Sequence, residues 1–170
     1  MSKTNLCIVG LSKQFTDNVC KLLSIKMDMF YASIEEIFAY ELMDIEKIEE
    51  ICGLDYLVKE EKSIIRRVCG YENTLINIDY SLLNNDEILD EVDKNCLIIY
   101  LSLTEDRFEK EQIKEHISSN LMSINKEVFC DRDFLCKNIS DITINCEDLN
   151  IDNLVNRITE QILQYYKNRG

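Results

Sequence analysis

The stretch from Gly10 to Asp17, reading Gly10-Leu11-Ser12-Lys13-Gln14-Phe15-Thr16-Asp17, comes closest in residue type and spacing to a site that does chemistry. It follows an apolar run, Leu6-Cys7-Ile8-Val9, and leads into an apolar-periodic segment from Phe15 onward. A strand, a glycine, a polar turn and a helix are the layout of a phosphate-binding loop. In a working loop of the G-x-x-x-x-G-K-[ST] kind, glycines let backbone N–H groups curl around the phosphates. The lysine neutralises the β and γ charges, and the hydroxyl holds magnesium. Counted from Gly10, the second glycine falls on Phe15, the lysine on Thr16 and the hydroxyl on Asp17. No other register rescues the pattern, because Lys13 precedes Gln14 and the pair Lys3-Thr4 lies before the strand. Asp17 places a carboxylate where the phosphates would lie. Lys13 reads as a solvated loop lysine, the alternative being a substitute cation that swings in. By the motif alone, replacing Phe15 by glycine, Thr16 by lysine and Asp17 by serine is expected to restore triphosphate affinity well ahead of turnover.

Other candidates are fewer. Asp79 and Tyr80 follow a β-leaning run, at the strand end where α/β proteins bind ligands, and read either as ligand contacts or as plain loop residues. His116, in an exposed helix, reads as a surface residue. The acidic run from Asp44 to Glu50 reads as a solvated face. Eight cysteines, at 7, 20, 52, 69, 96, 130, 136 and 146, form no C-x-x-C pair and share the chain with one histidine. Buried free thiols are therefore expected, in a reducing cytoplasm and with no zinc.

The bulk numbers exclude whole classes of partner. A net charge of −13 argues against a nucleic-acid backbone, whose binding rests on Lys and Arg releasing counterions, and against an anionic membrane surface. Small phosphorylated ligands stay open, since local dipoles and one or two cations can hold them. No run approaches transmembrane length, and the N-terminus is too short of apolar residues for a signal peptide. Proline is absent and glycine occurs four times, so few positions supply positive φ near a ligand.

These residues need elements to hold them. Apolar spacing predicts helices over Phe15–Met27, from Ser33 to about Met43, over Ile45–Cys52 with Asp44 as cap, and over Asp55–Cys69 with Gly70 as C-cap. Further helices are expected over Asp86–Val92, from Thr104 to about Ile117, in part of Asn120–Asn138, and over Ile151–Tyr166. Strands are expected at Leu6–Val9, Met29–Tyr31, Thr74–Ile78, Leu97–Leu103 and Ile142–Ile144. Strands alternating with helices read as a three-layer α/β/α fold with a five-stranded parallel sheet, in one domain over residues 1–170.

In this order the pieces resemble the shikimate kinase family, of the P-loop kinase fold. Asn5 to Gly10 is similar to its first strand and opening glycine, Leu22-Leu23 to its following helix, and Phe30-Tyr31 to its second strand. Leu97 to Leu101 is similar to its V-V-Y-L strand. Arg132 to Cys136 with Ile139 to Ile142 is similar to its R-x-x-L-Y…A-D-[IV] signature. The resemblance covers nearly the whole chain on framework positions. The family's functional positions are replaced: its D-x-D falls on Ala32 and Ile34, its substrate arginine near Leu57-Val58, and its G-G-G loop on Asp79-Tyr80-Ser81. Its arginine-bearing lid has no counterpart between Arg107 and Arg132. Only Arg132, which in the family lies against the adenine, stays in its motif.

The resemblance implies a catalytically degenerate relative, kept as a binding or regulatory protein with weak or no nucleotide binding. No catalytic residue, metal ligand or cofactor is expected, and the partner is a protein or a small metabolite, with the chain a monomer or homodimer. Any residual nucleotide contact falls to Gly10, Lys13, Thr16, Asp17 and Arg132, and any substrate contact to Asp79 and Tyr80. Two alternatives stand beside it. One is a small-molecule kinase using ATP and magnesium through an atypical loop; the other is a protein-interaction module whose old pocket is filled by Phe15 and Tyr80.

Overall fold

A computed structural model describes residues 3–42, 45–119, 126–147 and 150–169. Strands β1 (Asn5–Gly10), β2 (Phe30–Ser33), β3 (Thr74–Asn77), β4 (Cys96–Ser102) and β5 (Ile142–Asn145) form one parallel sheet in the order β2-β3-β1-β4-β5. The helices are α1 (Lys13–Met27), α2 (Ile34–Glu41), α3 (Ile45–Cys52), α4 (Leu54–Cys69), α5 (Asp86–Asn95), α6 (Glu105–Ser119), α7 (Lys126–Ile139) and α8 (Ile151–Lys167). A 3-10 turn at Tyr80–Asn84 follows β3.

The two most apolar runs take the centre of the sheet, where both faces must be covered. β1 and β4 pair from Asn5 opposite Cys96 to Gly10 opposite Leu101. Side chains alternate between faces. Leu6, Ile8, Leu97 and Ile99 pack with Val19 and Leu23 of α1 and with Leu154 and Ile158 of α8. Cys7, Val9, Ile98 and Tyr100 pack with residues of α2, α4 and α5 on the other face. This is the expected three-layer α/β/α arrangement.

One detail departs from expectation: α1 starts at Lys13, two residues ahead of Phe15, with Ser12 as its N-cap residue. Gly70 is the C-cap of α4, as expected, with a right-handed φ of −77°. Among the described non-glycine residues Asp28 (φ 52°) and Asn73 (φ 55°) are left-handed. Asn73 Nδ2 donates to the Asp28 carbonyl at 2.8 Å, one local bond that offsets the strain of two left-handed residues. Asp44, the expected cap of α3, and residues 120–125 of the expected partly helical stretch lie outside the described residues, as does the His116 side chain.

Among the described residues no helix is long and apolar enough to cross a membrane. All eight cysteines are free, and only Cys52 and Cys130 are exposed. Burial pushes the Cys136 and Cys146 thiols up to about 12, so they stay unreactive at neutral pH. A thiol reagent on the native protein should therefore titrate two groups quickly and the other six only after unfolding, and reductant should leave the melting temperature unchanged. Rapid native modification of more than two groups would contradict the burial.

Candidate functional site

The candidate residues gather at the C-terminal ends of the strands. β1 ends at Gly10, and only Leu11 and Ser12 separate it from α1. The Thr16 N–H donates to the Ser12 carbonyl at 3.0 Å, a helical bond that commits it within α1. Its hydroxyl, almost fully buried, donates to the same carbonyl at 2.6 Å. That threonine stands directly on Gly10, where a Cβ would lie 2.0 Å from Thr16 Oγ1. Phe15, one residue earlier, is 4% exposed and belongs to the core. The Arg107 guanidinium lies over its ring, 5.7 Å from the centroid, and Arg107 Nε bonds Glu111 at 2.9 Å.

Lys13 pairs with Glu35 at the start of α2. Asp17 accepts from the Tyr31 hydroxyl of β2 and from Lys21 at 2.7 Å. Asn77, at the end of β3, donates to the Tyr31 oxygen at 3.2 Å and completes the chain of contacts. Burial alone would raise the Asp17 carboxyl, but hydrogen bonds from Lys21 and Tyr31 outweigh it and hold it below the ordinary value. Burial and the bond to Asp17 push the Tyr31 phenol up, so Tyr31 stays a donor.

A carboxyl held low contributes stability that is present above its unfolded value, about 3.9, and is lost as pH falls below that toward the folded value. Asp17→Asn should therefore cost about 1 kcal/mol at pH 7 and less at pH 3, which lies below the unfolded value. Urea midpoints of both proteins at the two pH values check this. An equal gap at pH 7 and pH 3 would place the loss elsewhere than in the charge.

A second group forms across the sheet end. The Arg132 guanidinium of α7 lies 4.7 Å from the Tyr80 ring centroid, a contact of about 1 kcal/mol. Asp79 turns its carboxylate back on its own chain and accepts from the Ser81 N–H at 2.8 Å, capping the 3-10 turn. α7 is fixed by Asp133, which accepts from Tyr100 Oη at 2.8 Å and from Ser102 Oγ at 3.2 Å. The structure thus brings Gly10 to Thr16 and Tyr80 to Arg132. No hydrogen bond, ion pair or ring contact among the described residues joins Gly10, Lys13, Thr16 or Asp17 to Asp79, Tyr80 or Arg132.

Tyr31 and Asn77 were missed by reading the sequence. The available signal was positional: Asn77 ends β3, Tyr31 lies in the neighbouring β2, and parallel pairing sets Tyr31 beside Leu75 and Ser33 beside Asn77, two residues apart along the sheet.

No family model matches the chain, and no curated protein matches it. Solved structures do. A shikimate kinase from Acinetobacter baumannii, in complex with shikimate, aligns with TM-score 0.77 over 96% of this chain and 95% of its own, at 13% identity. The fold is that of the shikimate kinases. The enzyme from Aquifex aeolicus gives TM-score 0.71 at 18% identity, covering 95% of this chain and 98% of its own. That from Bacteroides thetaiotaomicron gives 0.72 at 10%, covering 94% and 98%. Identity this low carries the shikimate-kinase fold and no more.

Proposed function

We propose that this chain is a non-catalytic binding or regulatory protein built on the shikimate-kinase fold, with weak nucleotide binding at most. The observation that carries the reading is the junction of β1 and α1. The helix is under way at Lys13, so the backbone that would wrap phosphates is spent on helical bonds such as Thr16 N–H to Ser12 O. The residues there do not fit a magnesium triphosphate. The Thr16 hydroxyl is committed to a carbonyl, the Asp17 carboxylate is taken by Tyr31 and Lys21, and Lys13 is drawn to Glu35. Phosphoryl transfer is almost wholly positioning and charge balance, and each lost electrostatic contact costs about 10²–10³ in rate. Eight free thiols support a reducing, cytoplasmic setting.

A coupled assay with ATP, magnesium and shikimate is expected to stay at background. Calorimetry with ATP, ADP and adenosine is expected to find weak binding that depends little on the γ-phosphate, because Arg132 can meet a base while the loop offers no lysine. Turnover abolished by chelator would instead establish the kinase alternative, and a strong preference for ATP over adenosine would contradict the weak binding proposed.

A further inference from the structure

The sheet has an edge at β5 and another at β2, the latter beside the Asp17–Tyr31 contact. Phe30 N–H bonds the carbonyl of Asn73, the residue just before β3, at 2.9 Å. In a parallel ladder alternate residues bond alternate sides, so the N–H and C=O of Tyr31 face outward, where no strand lies. Proteins protect such edges with short strands, charge, proline or bulges. β2 reads Phe30-Tyr31-Ala32-Ser33 and pairs with β3 without interruption, so it is short but carries no charge, proline or bulge. Beside it runs a groove of about 630 Å³ between the strand edge, α2 and the turn before β3. Three aromatic side chains line the groove in an exposed state: Phe30 at 74%, Tyr40 at 85% and Tyr71 at 52%. Apolar surface of this kind, left open along a strand edge, marks an interaction site.

Charge selects the occupant. Glu36, Glu41 and Glu72 line the groove, and no Lys or Arg does. Glu41 is held by Arg67 and Glu36 lies 3.9 Å from Lys21, while Glu72 makes no ion pair among the described residues. A second copy would bring the same acidic groove and a net charge of −13. We infer that the β2 edge and its aromatic groove receive an extended peptide segment of a partner protein, one that alternates apolar residues with Lys or Arg and adds to the sheet as a sixth strand. Main-chain bonds at Tyr31 hold it, the aromatic groove takes its apolar side chains, and the glutamates take its cations. The inference does not depend on whether the β1–α1 junction is catalytically silent.

The test is selection from a random decapeptide library with the full chain as bait, followed by anisotropy titration of one labelled winner. The selected pool should be enriched in Lys and Arg alternating with apolar residues, and the labelled peptide should bind less tightly as salt rises. Phe30→Lys should weaken binding by about tenfold or more and Glu72→Lys by several-fold, both with unchanged melting temperature because the side chains are exposed. Bound peptide should also slow hydrogen exchange of the Tyr31 amide. No winners above background, a pool without basic enrichment, equal affinity for Phe30→Lys, or protection mapped away from β2 would each overturn the inference. So would sedimentation showing dimers that Phe30→Lys dissolves, since the occupant would then be a second copy.

Discussion

Gly10→Ala should destabilise the protein by about 3 kcal/mol, the upper end of ordinary overpacking, and Thr16→Ala in the same chain should restore most of the loss. The new Cβ would lie 2.0 Å from Thr16 Oγ1, 3.2 Å from its Cβ and 3.3 Å from its Cγ2. The threonine has nowhere to go: it is β-branched within a helix, almost fully buried, and its hydroxyl is tied to the Ser12 carbonyl at 2.6 Å. Alanine at 16 removes the two atoms that can turn and leaves a Cβ contact that a few tenths of an ångström relieve. Alone, it should cost about 1 kcal/mol for the lost bond. Urea denaturation of the four proteins closes the cycle. Additive losses would mean that Gly10 and Thr16 are not in contact, and that the β1–α1 junction is open in solution.

The triple variant that the motif suggests, Phe15→Gly with Thr16→Lys and Asp17→Ser, should lose more than about 5 kcal/mol and largely unfold. Removing a buried phenylalanine costs about 3–5 kcal/mol, and glycine inside a helix adds about 1 kcal/mol. Phe15 is 4% exposed, sits in the core cluster, and supports the Arg107 guanidinium. Lysine at 16 enters a site that is 3% exposed, and serine at 17 leaves the Tyr31 hydroxyl and Lys21 without their shared acceptor. The sum is comparable with the whole stability of a typical domain. The expectation that these three changes chiefly raise triphosphate affinity therefore gives way to one of lost folding. Circular dichroism melts decide between them. A triple variant that melts like the parent and binds ATP tightly would show that the segment can adopt a cradle after all.

The contrast between fold and site lies in how far apart the deciding residues are. β1 and β4 announce themselves because a strand covered on both faces needs a continuous apolar run, which Leu6–Val9 and Leu97–Leu101 supply within themselves. α8 is legible for the same local reason, through its period of buried Leu154, Val155, Ile158 and Ile162. The start of α1 was misread because Ser12, a good N-cap type, was counted as one of the loop positions of a phosphate motif. Gly70 is legible for a local reason too, as the glycine that follows the last apolar position of α4 and caps it. The contacts of the site are tertiary. Asp17 meets Tyr31 only because α1 packs against the edge strand β2, and Arg132 meets Tyr80 only because Asp133 fixes α7 over β4. No periodicity within one element encodes either.

The strand order has a consequence for the chain while it is being made. β1 is the first strand of this sheet to leave the ribosome and the middle strand of the finished sheet, so both its neighbours arrive later. β3 covers one side only when Asn77 is reached, and β4 covers the other only at Ser102. At roughly 5–20 residues per second, the about ninety residues from Gly10 to Ser102 take roughly 5–20 s. Through that interval Leu6, Cys7, Ile8 and Val9, all buried at the end, have no complete sheet to enter. A nascent chain in that condition offers an apolar segment to chaperones and to its neighbours alike, which makes the span between β1 and β4 the time of greatest exposure to aggregation.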